Sequence, residues 1–246
     1  MKKWSLVIGA SRGIGKAAAL QLAKSYPNDK ILAVARNFSE ATLSEFSGLN
    51  IIIMTLDIGN SESMTSIINL LQNAAVRFVI YAAVSLGFDF YNSTSEEFDR
   101  TMTINAKFPY FLCNLLIPYF FEDSKILFFV SKGCHSYLFN SPLFCISKAA
   151  LYMVTQVLKK ELQVPVGTLF PGVVKTEMLT EVNERIPGKE LNYDTSLEPE
   201  VAARFIDFVL SAQVSANEFS AVEWSIYDRS HHDRWLAPGE TIIENE

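Results

Sequence analysis

Three glycines carry the most legible chemistry in the chain: Gly9, Gly13 and Gly15, spaced G-x-x-x-G-x-G. Before them Leu6, Val7 and Ile8 form a short apolar run that suits a parallel strand buried on both faces. After them, residues 17–23 read as a helix. A strand that turns into a helix through glycines brings the backbone N–H groups around Ser11, Arg12, Gly13, Ile14 and Gly15 close to whatever sits at the helix N-terminus. The missing side chains let a pyrophosphate approach, and the helix dipole favours its charge. The expected ligand is a dinucleotide.

Two cations bear on which dinucleotide. Arg12 lies inside the turn, and Arg36 follows the apolar run 31–35, where a carboxylate would hydrogen-bond the ribose hydroxyls of NAD. With Ala35 in that acidic position, the two guanidiniums suit a 2′-phosphate and hence NADP(H). Two solvated surface arginines are the plainer alternative. Asp57, just after the run 51–56, is placed either to touch the adenine edge or to cap the next turn.

The elements that must position these residues alternate. Strand-like runs at 31–35, 51–56, 78–83, 126–130, 166–170 and 221–226 are separated by helical patterns at 61–71, about 95–121, 147–162 and 201–210. Ser61 suits an N-cap, and the long segment 95–121 is expected to bend or end near Pro109 and Pro118. Such alternation predicts the α/β class: a doubly wound parallel sheet of Rossmann type in three α/β/α layers. No repeat, low-complexity tract or linker divides residues 1–246, so one domain is expected. Ligands of such sheets bind beyond the C-terminal ends of the strands, where the glycine turn, Arg36 and Asp57 all fall.

With 246 residues, 49% of them apolar, the chain can fill one α/β core. A net charge of −6 without a dense basic run argues against a nucleic-acid surface. Cys113, Cys134 and Cys145 lack metal spacing and fit reduced thiols of an intracellular protein. The adjacent His231 and His232 make no metal site. The sequence runs directly into a strand, so no signal peptide is expected. Its most apolar stretch, 108–121, is broken by prolines and too short to span a bilayer. These features predict a cytoplasmic protein with no membrane or nucleic-acid partner.

Seen together with Asn105, Ser131, Lys148, Pro171 and Gly172, the glycine turn and Asp57 make the chain resemble the short-chain dehydrogenase/reductase family over nearly its whole length. The family builds its active site from a serine, a tyrosine, a lysine and an asparagine. The resemblance implies that Ser131 holds a substrate carbonyl, that Lys148 binds the nicotinamide ribose, and that Asn105 organises a proton relay. It also implies that Ala82 and Ala83, and the segment with Pro171, Gly172, Val174 and Thr176, lie along the cofactor. The plainer roles are a turn cap for Ser131 and a solvated charge for Lys148.

Two residues depart from the family pattern. Phe144 stands where the family has its catalytic tyrosine, four residues before Lys148, and offers no proton. Loss of a general acid costs roughly 10²–10⁴-fold in rate. Val84 follows Ala83 where the family usually has a glycine, which would narrow or reshape the site. His135 and Tyr137 lie in the intervening loop and are able to carry a proton, although a loop imidazole and a packing aromatic are the simpler readings. Tyr152, one turn beyond Lys148, is expected to face the helix packing surface.

The resulting expectation is an NADP(H)-dependent oxidoreductase, transferring hydride between nicotinamide and a small carbonyl or alcohol at an altered site. The alternative is a catalytically impaired NADP(H)-binding protein acting as a sensor or assembly partner; a cofactor-free scaffold is disfavoured by the intact glycine turn. Met178, Leu179, Val182 and Ile186 recur on one helical face, as either a lid or core. Phe88, Phe90, Phe139 and Phe144 hint at a bulky or aromatic substrate. Apolar residues on the segments 95–121 and 147–162, namely Phe108, Tyr110, Phe111, Leu115, Leu116 and Tyr152, predict a homodimer or homotetramer.

Overall fold

Short runs of β-branched and aromatic residues form the strands of one sheet in the computed structural model, which describes residues 2–60, 62–72, 74–185, 191 and 196–242. They are β1 Lys2–Ile8, β2 Lys30–Ala35, β3 Ile51–Thr55, β4 Ala74–Tyr81, β5 Phe120–Phe129, β6 Val166–Phe170 and β7 Glu223–Ser225. Their order is β3-β2-β1-β4-β5-β6-β7, and every pairing is parallel. Leu6 of β1 sits beside Leu32 on one flank and Val79 on the other, and the last three residues of this central strand, Leu6 to Ile8, are apolar and paired on both sides.

Helices cover both faces. They are α1 Gly13–Ser25, α2 Glu40–Phe46, α3 Ser63–Leu70, α4 Ser95–Met102, α5 Phe108–Leu116, α6 Pro142–Glu161, α7 Glu177–Arg185, α8 Pro199–Leu210, α9 Ala216–Ala221 and α10 His232–Trp235. Side chains alternate across a strand. Val7 therefore joins Ala18, Leu22, Phe205 and Ile206 in the layer beneath α1 and α8. Leu6 and Ile8 join Ile67, Leu112 and Leu151 beneath α3, α5 and α6. The doubly wound, three-layer expectation is met.

Several boundaries differ from the sequence reading. β4 starts at Ala74 and stops at Tyr81, which leaves Ala82 and Ala83 in the loop beyond the strand. β5 begins at Phe120, because Pro118 closes the preceding helix with a 3-10 turn and the chain extends at once. α6 begins at Pro142 rather than 147; proline is preorganised for the first helical turn, so Phe144 and Lys148 share one helix. The last strand shrinks to three residues because Ala221 ends a separate helix, α9. α2 was not foreseen. Ser61 and Ile186 lie outside the described residues.

The expected 95–121 helix is interrupted upstream of its first proline. Between α4 and α5 the chain makes a π-helical turn, Thr103–Lys107, in which the Phe108 N–H reaches back to the Thr103 carbonyl. Pro109 has no N–H to offer the Asn105 carbonyl, and its ring would strike that carbonyl in a regular helix. The wider turn relieves the clash. Phe108 and Leu116 are fully buried and cannot serve an outer face, whereas Tyr110, Phe111 and Leu115 are exposed.

Candidate functional site

The loops after β1, β2, β3, β4, β5 and β6 meet at the C-terminal edge of the sheet, and most of the sequence-nominated residues lie there. Gly9 ends β1 with φ of +94°, and a Cβ on it would come within 2.5 Å of the Ala83 nitrogen. Only glycine allows the first turn to lie against the loop after β4. Its N–H and that of Ala10 both donate to the Val34 carbonyl of β2. Gly15 lets α1 close on the strand, since a Cβ there would sit 2.1 Å from the Gly9 carbonyl oxygen. Gly13 packs against the Thr176 side chain from the loop after β6. Ile14 is half-buried against the α1–α8 layer.

The N-terminus of α1 has no side-chain cap and no acidic residue in its first turn. Ser39, Thr94 and Ser215 cap α2, α4 and α9, whereas α3, α6 and α8 also start without a side-chain cap. A helix start left open in this way presents N–H donors and the positive end of the dipole. A pocket of about 270 Å³ adjoins it, lined by Ser11, Arg12, Lys16, Asn37, Ser39 and Glu177 among others. Arg12 reaches Glu181 of α7 at 3.7 Å with both side chains half-exposed, and Lys16 pairs with Glu45 at 2.9 Å. The Ser11 carbonyl accepts from the Thr42 hydroxyl at 3.0 Å. Arg36 is exposed at the end of β2. This donor set fits the phosphates of a dinucleotide.

Asp57 accepts from the Gly59 N–H at 2.9 Å and holds the Arg100 guanidinium of α4 at 3.0 and 3.1 Å. It thus caps the turn after β3 and anchors α4. Burial pushes its carboxyl up, but the Gly59 N–H, Arg100 and the nearby Arg36 outweigh that and leave its pKa lowered.

Asn105, in the π-turn, is fully buried. Its Oδ1 accepts from the Ser85 N–H, and its Nδ2 donates to the Ser85 carbonyl and to Ser147 Oγ, all at 2.8 Å. Ser147 Oγ in turn donates to the Phe144 carbonyl at 2.9 Å. The amide therefore fastens the loop after β4 to the first turns of α6. The Tyr81 hydroxyl, at the end of β4, donates to the Ile104 carbonyl at 2.5 Å and ties the same π-turn to the sheet.

Lys148 is 4% exposed, and its Nζ donates to the carbonyl of Phe129, the last residue of β5, at 2.8 Å. The ammonium lies 5.7 Å from the centroid of the Phe144 ring. No carboxylate pairs with it among the described residues, and burial lowers its pKa to about 8, with the Cys134 thiol acting the other way. Ser131, two residues beyond β5, caps a short 3-10 turn by accepting from the Gly133 N–H at 3.2 Å. That turn also carries Cys134, whose thiol pKa is raised, by burial above all.

Neither alternative proton carrier approaches this lysine through a hydrogen bond or ring contact. His135 stacks on Phe170 at 6.0 Å and meets the edge of Tyr152 at 4.8 Å. Tyr137 is 64% exposed, and its hydroxyl accepts from the Asn140 N–H at 3.1 Å. Tyr152 donates to Glu223, and that bond, with burial adding to it, raises its pKa to about 12.

On the β6 side, Pro171 leads into Gly172, whose φ of +70° and close approach to the Tyr227 ring exclude a side chain. Val174 is buried and bridges to Leu197. Thr176 Oγ1 accepts from the Leu179 N–H at the start of α7. Leu179 is buried. Of the four expected aromatics, Phe144 is 9% exposed, Phe90 pairs instead with the exposed Tyr91, and Phe88 lies under Arg185. His231 packs on Trp224 and His232 contacts the Ile226 carbonyl; no metal-ligating cluster occurs among the described residues. No described helix is long and apolar enough to cross a membrane.

Sequence reasoning missed Glu181, Arg100, Ser85 and Ser147. Ser147 alone carried a local signal, lying three residues after Phe144 and so one helical turn away.

Comparison with known proteins bears on the family and the fold. A family model described as short chain dehydrogenase matches residues 3–187. The chain is 30% identical over 183 residues to L-xylulose reductase of Caenorhabditis elegans, covering 70% of this chain and 72% of that protein. It is likewise 30% identical over 190 residues to the NADP-dependent 3-hydroxy acid dehydrogenase of Schizosaccharomyces pombe, covering 71% and 73%. The solved structure of angucycline C-6 ketoreductase LanV with bound NADP superposes with a TM-score of 0.76 at 20% identity, covering 91% of this chain and 93% of that one.

Proposed function

The chain belongs to the short-chain dehydrogenase family, and from that premise we propose that it binds NADP(H) and transfers hydride between it and a small carbonyl or alcohol. The observation that carries this reading is the buried Lys148 of α6, bonded to the last carbonyl of β5 with no carboxylate partner among the described residues, on the same sheet edge as the uncapped start of α1. The nicotinamide supplies or accepts the hydride when bound. The donors at the start of α1 take the pyrophosphate, and Lys148 reaches the nicotinamide ribose. Ser131, whose hydroxyl proton meets no acceptor among the described residues, holds the substrate oxygen.

Arg12, which shares its pocket with Lys16 and Ser39, and the exposed Arg36 at the end of β2 support the phosphorylated cofactor. The NADP-dependent yeast relative and the NADP-bound ketoreductase point the same way. We read Phe144 as standing where the family's tyrosine stands: it lies one helical turn before Lys148 with its ring against the ammonium. Asn105 then acts by fixing the Phe144 turn through Ser147. We take residues 1–246 as one catalytic domain acting in the cytoplasm. The exposed face of Tyr110, Phe111, Leu115, Met153 and Val157, beside a groove of about 600 Å³, is taken to pair with a second copy.

Phe144 also supports a second reading, a cofactor-binding protein without turnover. One experiment separates the two: NADPH binding and oxidation with aldehydes, ketones and diketones, for the native protein and Phe144→Tyr side by side. Turnover by the native protein is expected. Turnover by the tyrosine variant alone would establish the second reading, and failure of both proteins to bind NADPH would refute the assignment.

A further inference from the structure

The proton that a carbonyl oxygen must receive has no hydroxyl to come from at residue 144. The structure leaves a different donor beside that ring. Lys148 Nζ spends one N–H on the Phe129 carbonyl and faces the Phe144 ring, and no other acceptor among the described residues takes its remaining protons. Around it stand the Phe129 carbonyl from β5, the Phe144 ring from its own helix and the Cys134 thiol from the 3-10 turn. Cys134 is the titratable group whose charge acts on the ammonium; Glu223 acts on Cys134 in turn, and Cys134 on Tyr152. A lysine paired with a carboxylate would be held strongly protonated. This one is paired with a neutral carbonyl and a ring face.

We propose that Lys148 itself is the general acid and base of this chain, giving its proton to the substrate oxygen during reduction and taking it back during oxidation. The proposal rests on the oxidoreductase reading above. In reduction, hydride from the reduced nicotinamide dinucleotide forms the new C–H bond, and the carbonyl π electrons move to oxygen. An N–H bond of Lys148 breaks as the O–H bond forms, leaving alcohol, oxidised cofactor and a neutral amine. That amine regains its proton from water. Burial tunes a lysine toward the range in which it can both hold and release a proton near neutrality. With its pKa lowered to about 8, Lys148 is charged below that pH and neutral above it. Reduction should therefore be level at low pH and decline above about 8, whereas oxidation should rise through the same point.

The test begins without cofactor. In protein carrying [13Cε]-lysine, two Cε resonances should titrate near pH 8, those of the buried Lys125 and Lys148, and one of the two should vanish in Lys148→Met. A lysine signal at position 148 that titrates above pH 10 would overturn the proposal. The second arm uses Lys148→Arg, which keeps charge and donors but does not release a proton near neutrality. NADPH affinity, followed by cofactor fluorescence, should stay within roughly threefold. Reduction of diacetyl, benzaldehyde or phenanthrenequinone should drop by roughly 10²–10⁴-fold, the range typical of a lost acid. Adding Phe144→Tyr to the arginine variant should restore part of that rate by supplying a hydroxyl. Native turnover with an unchanged pH profile in Lys148→Arg would refute the role of Lys148 while leaving the oxidoreductase reading intact. NADPH binding without turnover in any variant would sink both.

Discussion

Removing the Arg12 side chain should discriminate between the two nicotinamide cofactors. Arg12 lines the pocket beside the start of α1 and, without ligand, leans on Glu181 at 3.7 Å. Both side chains are about half exposed, 53% and 42%, so that ion pair is worth only about 0.2–1 kcal/mol. A hydrogen bond from the guanidinium to a charged phosphate contributes about 1.5–3 kcal/mol. The difference, roughly 0.5–2.8 kcal/mol, corresponds to about 2- to 110-fold weaker NADPH binding in Arg12→Ala, at 1.36 kcal/mol per factor of ten. NADH, which has no 2′-phosphate, should change by less than about twofold on the same reasoning. Glu181→Gln should move the other way, tightening NADPH by up to about fivefold because the competing carboxylate is gone. In the double variant that gain should disappear, since Glu181 would act only through Arg12. Fluorescence titration of both cofactors at low and at half-molar salt measures all of this, and the selectivity should shrink as salt screens the charges. Equal losses for NADPH and NADH, or a Glu181→Gln that weakens NADPH, would refute the placement of the 2′-phosphate at Arg12.

Asn105→Ala strips three buried hydrogen bonds and strands both backbone groups of Ser85, a loss of about 3 kcal/mol or more. Thermal unfolding by circular dichroism should shift down by roughly 6–12 °C for a chain of this size; a shift under about 2 °C would show that the amide does not brace the loop. For the outer face of α5 and α6, Phe111→Asp should turn a sedimenting dimer or tetramer into monomer at micromolar concentration with little change in melting, because Phe111 is 46% exposed in the single chain. A native protein that is already a monomer there would remove the homo-oligomer proposal.

The fold was legible because its signals are local and repeated. Apolar runs such as 31–35 and 166–170 coincide with β2 and β6 to within a residue, and glycines mark the turn between β1 and α1. The site was legible where one motif holds both partners, as with Phe144 and Lys148 on α6. It was illegible where partners meet only through the fold. Asp57 could be read as an adenine contact or a cap; Arg100, 43 residues away, explains it as an anchor for α4. Arg12 looked like a free cation until α7 brought Glu181 beside it. The π-turn escaped notice because a proline signals a kink, whereas the relief it demands falls one turn earlier, on Asn105.

The strand order β3-β2-β1-β4-β5-β6-β7 has a consequence for how the chain can be assembled as it is made. β2 adds to one side of β1, β3 adds outside β2, and β4 takes the free side of β1. Each later strand then joins the edge left by its predecessor. No strand must be inserted between two that are already paired, so the sheet can grow outward in the order of synthesis. At every stage the newest edge is open and able to recruit a wrong partner. Growth ends at β7, three residues long with Glu223 exposed at its start, a poor template for any further strand.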